Sequence, residues 1–398
     1  METVYLSYSS TKQHRLCPAQ WAFQRLDRIE ANPDTREGAD IPVERDFGSW
    51  WHALRAVDAA QRGTAHGSIK YIPDEISLPE DSMPFEQIKT PERVLDRLAT
   101  WWYYAAPATR ATWAERLGED PVTRLRELDE RWREQWALDL RYERPIAVEL
   151  GWERELFVEH ADDENGHYGL RYVLVGYVDE VFEDTRRGVV VARDHKLHRK
   201  LGQISRADEM LDSQLSLYAW GAAQRVSELC GKKLQATAYD RVRMTAPKTP
   251  VVTKSGTLSK STTDYDVATY LRWCAGQPEY PGLKKDGSGA GVYEAEQQVV
   301  ERLSTPGARA EWFARSLTPL SSHTTRAHLQ AALDSARTMS ATRERHADTN
   351  LAPQNFGAAC RWCDYAQLCH AQLVGGPSET YDLESMGLRK RPESDSAR

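Results

Sequence analysis

Residues 176–196, GYVDEVFEDTRRGVVVARDHK, constrain the fold more than any other stretch of the chain. Two β-branched runs flank the polar segment EDTRRG, the composition of a hairpin closed by a turn. The second run opens with Val189, Val190, Val191 and Ala192, an apolar run typical of a buried strand. Asp194, His195 and Lys196 close that strand and so sit at the edge of a core. Side chains at i and i+2 share a face, so Asp194 and Lys196 point together. Antiparallel pairing can bring Asp179 of the first strand alongside them, although the sequence leaves the register open.

Two carboxylates a few ångströms apart repel unless a divalent cation lies between them, and hard oxygen donors suit magnesium or manganese. A lysine beside such an ion can orient a water or lower its pKa, and can neutralise charge on a phosphate during in-line displacement. By itself a D-x-K triplet is an ordinary exposed ion pair. The buried strand behind this one and the helix ahead of it set it apart. Between Ala207 and Leu229, Leu211, Leu215, Ala219, Ala222, Val226 and Leu229 advance by three or four residues, the spacing of an amphipathic helix. Gln214 and Tyr218 lie at i and i+4 on it, sharing a face from which both can reach a phosphate or an attacking water.

Elsewhere, Ser9, Ser10 and Thr11 offer caps before KQHRLCPAQWAFQRL, and Asp46 precedes FGSWWHALRAVDAAQ, whose apolar residues keep helical spacing to Gly63. Pro73–Pro84 has the composition of a loop. Thr90, Pro91 and Glu92 read as the start of a helix bearing Val94, Leu95, Leu98 and Trp102, and a helix after Pro121 carries Leu125, Leu128, Trp132 and Trp136 on one stripe. We read those tryptophans as core, because aromatic residues at helical spacing usually are. A sheet is expected from Ile146, with ATAYDRVRM as a later strand, and helices over 264–347. The expected division is 1–63 N-terminal helices, 64–145 helical insertion, 146–245 α/β core, 246–347 basic loop and helices, 348–374 cysteine cluster, and 375–398 flexible polar tail.

Six cysteines among 398 residues are too few for a disulfide framework, so clustered ones are read as metal ligands. Cys360, Cys363 and Cys369 stand in a C-x2-C-x5-C run. Four-coordination needs another ligand; Cys17, followed by Pro18, is the natural candidate, leaving Cys230 and Cys274 as packing residues. One distant cysteine with a tight trio departs from the paired C-x-x-C of zinc ribbons. Iron–sulfur ligation fits better, with structural zinc as the lesser alternative.

GYVDEV, ARDHK and QLSLYAW, in that order, resemble the PD-(D/E)XK nuclease superfamily in its RecB-like form, in which an acid, a D-x-K triplet and a Q-x-x-x-Y helix follow one another. The resemblance implies a restriction-endonuclease-like α/β core with a central mixed sheet flanked by helices. It also implies metal ligation by Asp179, Asp194 and a histidine after a glycine on an early helix, here Gly48 and His52. Lys196, Gln214 and Tyr218 complete the implied catalytic set. Leu197 departs from the small hydroxyl residue that often follows the lysine. The cysteines resemble those of the four-cysteine iron–sulfur nucleases of the same branch, the AddB nuclease domains and the CRISPR-associated exonucleases with their bacteriophage-encoded members, in which a 4Fe-4S cluster joins the chain ends.

Together these resemblances imply a Mg2+- or Mn2+-dependent DNA exonuclease acting on single strands or free ends in recombination, repair or phage DNA processing. A catalytically idle DNA-end-binding or scaffolding protein of the same fold is the alternative from another class. A nuclease subunit of a helicase complex is a third, and with no G-x-x-x-x-G-K-[ST] loop in the sequence the motor would be a separate helicase or recombination partner. A net charge of −7 argues against coating nucleic acid through bulk charge, leaving RDHKLHRKLGQISR and RVRMTAPKTPVVTK as local backbone contacts. No run approaches a membrane span and METVYLSYSS lacks a signal-peptide pattern, so the expected location is the cytoplasm of a bacterial or phage-infected cell.

Overall fold

The computed structural model describes residues 2–31, 43–63, 89–163, 166–201, 212–251, 258, 261, 264–275, 296–357, 360–361, 363–374 and 381–391. Strand β1 (Glu2–Ser7) ends where the Ser7 hydroxyl caps helix α1 (Tyr8–Leu16), accepting the Ser10 N–H at 3.1 Å. That cap lies ahead of the Ser9–Thr11 group expected from the sequence. Pro18 cannot donate into a continuing helix, so the run expected as one helix breaks at Cys17 and restarts as α2 (Pro18–Arg25). Strand β2 (Ile29–Ala31) and helix α3 (Val43–Arg62) follow.

The insertion folds as α4 (Pro91–Tyr104), α5 (Pro107–Leu117) and α6 (Pro121–Leu140). Thr90 and Asp120 cap α4 and α6, and both helices begin with the proline that tolerates a missing donor. Of the tryptophans read as core, Trp132 is fully buried in a cluster with Phe47, Trp50 and Trp51 of α3, while Trp102 and Trp136 pack half-buried against the same cluster. The Pro73–Pro84 loop lies outside the described residues.

Beyond it run β3 (Glu143–Asp163), β4 (Gly166–Asp184), β5 (Val189–His198), α7 (Ser213–Cys230) and β6 (Leu234–Arg243). Then come α8 (Val267–Ala275), α9 (Glu296–Leu303), α10 (Pro306–Ala310), β7 (Phe313–Pro319), α11 (Ser322–Thr349), α12 (Ala366–Leu373) and β8 (Leu388–Lys390). The amphipathic helix expected to open near Ala207 begins, within the described residues, at Ser213; 202–211 lie outside them.

Two expectations fail. The stretch expected to be helical over 264–347 contains β7, whose FARSLTP sequence has no alternating apolar pattern because it is a half-exposed strand at the end of the sheet. The expected flexible tail is also partly wrong. Within it, Leu388 is buried, Tyr381, Leu383 and Met386 pack on the main core, and β8 pairs antiparallel with β2. Gly387, at φ +69, makes the left-handed turn into that strand.

The sheet is mixed. β3 runs antiparallel along β4; the other edge of β4 is taken first by β1, parallel over Leu170–Val175, and then by β5, antiparallel over Glu180–Asp184. β6 lies parallel to β5, and β7 antiparallel to β6. Neither the β1 nor the β5 ladder reaches Gly176–Asp179, so β4 has an open edge at the fork between them. Helices cover both faces. Val190 and Ala192 of β5 join a core with α1, α2, α7 and α11, while His195 lies against Trp132 of α6 on the other side.

Candidate active site

Register places three carboxylates on one level of the sheet. The β3–β4 ladder sets Val148 opposite Glu180 and Leu150 opposite Val178, which puts Glu149 level with Asp179. The β4–β5 ladder sets Glu180 opposite Arg193, which puts Asp194 level with Asp179 on the other side. Asp179 belongs to the open edge at the fork, beyond the reach of either neighbouring ladder. Its Oδ2 accepts the His195 backbone N–H at 2.7 Å and lies 3.2 Å from His52 Nδ1, one turn beyond Gly48 on α3.

Sequence reasoning missed Glu149. Candidate ligand atoms of His52, Glu149 and Asp179 all lie within 4.8 Å of one another. Glu149 has φ +46, a left-handed conformation that costs a side-chain-bearing residue on the order of 1–2 kcal/mol. Such strain in a strand interior marks functional sites, but nothing in AVELGWERE announces it.

Helix α7 supplies the opposite wall. Asp212 caps it through the Gln214 N–H at 2.9 Å and also accepts from the Tyr8 hydroxyl at 3.1 Å, tying α1 to the helix. The Gln214 side-chain amide donates to Asp194 Oδ1 at 3.1 Å and to the Tyr218 hydroxyl at 3.0 Å, so the i, i+4 pair does share a face directed at the acid. Tyr218 stands edge-on to Trp152, 6.0 Å between ring centroids. α7 approaches Trp152 this closely only because of Gly221; a Cβ there would fall 2.1 Å from the indole. Lys196 Nζ lies 2.9 Å from Asp194 Oδ2.

The electrostatics show what the site lacks. Burial opposes protonation of His52, yet Asp179 and Glu149 outweigh it and push its pKa up to about 9. Burial, with Asp179 and Asp194 nearby, pushes Glu149 up to about 8; burial, with Asp179, pushes Asp194 up to about 6. Asp179 itself, despite burial, is held down to about 2 by His52 and Lys196. Lys196 is raised, its burial outweighed by Asp194 and Asp179, and stays an ammonium ion. Three carboxylates face two cations, and protons make up the deficit. A set of hard oxygens plus one imidazole, short of positive charge, fits a magnesium or manganese ion.

His52, Asp179, Asp194, Lys196, Gln214 and Tyr218 all line one groove of about 2180 Å³. The four cysteines Cys17, Cys360, Cys363 and Cys369 do not line the groove and sit at a joint between the chain ends. The Ala19 N–H donates to Pro353 O at 2.9 Å and the Asn355 amide to Leu16 O at 3.0 Å, on either side of Cys17. Cys363 and Cys369 pack on the main core; burial, with Cys17, Asp364 and Cys360 nearby, raises the Cys363 thiol, and burial, with Cys17, Cys363 and Cys360, pushes Cys369 up to about 12. No three of these sulfurs lie within 4.8 Å of one another, whereas a tetrahedral zinc with Zn–S of 2.3 Å needs sulfurs about 3.8 Å apart.

No curated protein matches the chain. A solved structure titled "Crystal structure of SSO0001" is similar at 10% identity, over 80% of this chain and 84% of that one, with a TM-score of 0.22. Residues 5–370, which include every residue of the groove's acid, lysine, glutamine and tyrosine set, match the PD-(D/E)XK nuclease superfamily, and the chain belongs to it.

Proposed function

We propose that this protein is a metal-dependent exonuclease that hydrolyses DNA from its ends, with Asp179, Asp194 and His52 holding one or two magnesium or manganese ions and Glu149 as a further ligand. The observation that carries the reading is the level row Glu149, Asp179, Asp194 beside His52 and Lys196, inside a groove, in a chain of a nuclease superfamily. When bound, the metal supplies Lewis acidity and compensates the carboxylates. Lys196, kept protonated by its acids, neutralises charge building on the phosphate and orients the attacking water. Gln214 fixes the Asp194 carboxylate in one orientation, and the Tyr218 hydroxyl beside it positions the scissile phosphate. The motif order of the RecB-like branch supports action on ends. End-labelled single- and double-stranded DNA, digested with Mg2+ or Mn2+, tests this: progressive shortening from one end supports it, and absence of any divalent-dependent cleavage means an idle DNA-binding fold.

We further propose that Cys17, Cys360, Cys363 and Cys369 hold a 4Fe-4S cluster that fastens the chain ends. Support comes from sulfurs spaced more widely than one zinc requires yet close enough that Cys17 and Cys360 raise the thiols of Cys363 and Cys369. Anaerobically purified protein should be brown, with iron and sulfide each near about four per chain. Cys363→Ala should be colourless and less stable, and Cys230→Ala should keep its colour. Stoichiometric zinc without visible absorption would replace the cluster and leave the nuclease reading intact.

A further inference from the structure

The groove extends beyond the metal site, and its carboxylates segregate. The carboxylates that line it, Glu44, Glu149, Glu153, Asp179 and Asp194, all come from α3 and β3–β5. Among the described residues, α1, α2, α11 and the β8 end contribute none; from them and the turn before β2 the groove takes Lys12, Arg25, Arg28, Arg343 and Arg391, while Arg45 of α3, Lys196 of β5 and Arg225 of α7 are its cations on the other elements.

The C-terminal segment brings Arg391 to Arg25 and Arg28. The β2–β8 pairing is extended by the Arg391 N–H, which donates to Arg28 O at 2.8 Å, and the Arg391 guanidinium donates to Gln24 O. Arg28 sits at φ +56 in the turn leading into β2. Nearby acids are already engaged: Glu30 with Arg389 at 2.9 Å and with Arg391 at 3.6 Å, and Asp27 with His346 at 3.2 Å. Arg25, by contrast, has no carboxylate partner among the described residues, and partial burial together with the neighbouring Arg391 charge lowers its pKa. Like charges held together beside a groove are relieved by an anion, and a phosphodiester backbone lying in that groove brings one per nucleotide.

We propose that Arg25, Arg28, Arg343 and Arg391 form a phosphate-binding lane that grips the DNA strand away from the scissile bond. The lane rests on the nuclease reading for its ligand but not for its geometry. It makes binding depend on strand length, because a short strand fills the metal end alone while a long one also engages the arginines.

The test uses the full chain with Ca2+ in place of Mg2+, so that the carboxylate end is compensated while binding is read without turnover, and fluorescent single strands of about 20 and about 5 nucleotides. Arg25→Gln combined with Arg343→Gln should weaken the long strand about tenfold and reduce the slope of log K against log salt by about 1.4, two contacts at roughly 0.7 each. The short strand should change by less than about twofold on the same argument. Undiminished affinity for the long strand, or equal losses at both lengths, overturns the lane. Should the double variant misfold, cross-linking of a bromodeoxyuridine-bearing long strand to the unaltered protein decides instead. Adducts on α2 and α11 peptides support the lane, and adducts confined to α3 and β3–β5 overturn it. An unaltered protein that binds long strands through these arginines but cleaves nothing sinks the nuclease reading and keeps the lane; cleavage with affinity indifferent to them sinks the lane alone.

Discussion

The two faces of β5 carry charge to opposite ends. On one, Asp194 and Lys196 join Glu149, Asp179 and His52, and acids outnumber bases. On the other, Arg193 is fully buried between Glu180 at 2.9 Å and Glu143 at 2.6 Å. Arg315 takes Glu143 at 2.8 Å and Asp240 at 2.7 Å, and the Trp132 indole N–H donates to Asp240 at 2.8 Å. Arg62 takes the other oxygen of Glu180 at 3.3 Å, so three guanidiniums match the three carboxylates of that network. Burial opposes ionisation there too, yet Glu143 and Glu180 keep Arg193 charged, and Arg193 in turn holds Glu180 well below the usual carboxylate range. Compensation marks a structural network, and uncompensated charge marks a place for a ligand. The strand alternation that separates the two is only one residue wide, Arg193 against Asp194.

The comparison breaks first at Arg193. Because removing one partner of a buried pair strands the others, Arg193→Met should destabilise the protein by about 3–5 kcal/mol, read by urea denaturation. Wild-type stability in that variant would mean the network is dispensable and the contrast empty. Asp194→Ala should do the opposite. We expect at least about a hundredfold loss of cleavage, about 2.7 kcal/mol in barrier, with melting unchanged or raised because one repelling carboxylate is gone. His52→Ala should be severely impaired as well. Retained cleavage in the Asp194 variant would take Asp194 out of the site.

Much of the site was legible because its chemistry is written at fixed spacings. Asp194 and Lys196 share a strand face at i, i+2, and Gln214 and Tyr218 share a helix face at i, i+4, so periodicity alone pairs them. Asp179 needed a register, which the sequence left open and only the ladder fixed. Glu149 was illegible for a physical reason: its place depends on long-range β3–β4 pairing and on a left-handed φ that no local residue pattern dictates. Strands β1 and β7 failed similarly. Both are short and pair on one side only, with partners distant in sequence, and little of their pattern survives without those partners. The tail was misread from its polar average, which hid Tyr381, Leu383, Met386 and Leu388, the residues that dock it.

The smallest expected effect sharpens the comparison through pH. Without metal, Glu149 titrates near 8 against an ordinary 4.5, so between those values the unfolded chain has released a proton that the native site retains. His52 behaves likewise between 6.5 and about 9. The native state then binds more protons than the unfolded one, and stability from both groups is lost as pH rises, fully so only above about 9. A divalent cation must displace these protons, so its affinity increases over the same range. The rise in Tm produced by Mg2+ should therefore grow from pH 6 to pH 9, and Glu149→Gln, which removes one of the two protons, should flatten that growth. The compensated face has no such deficit, and variants there should leave the pH profile of the Mg2+ shift unaltered. A shift that is largest at pH 6, or one that Glu149→Gln leaves as steep as before, would show that the carboxylate row and His52 do not share a metal.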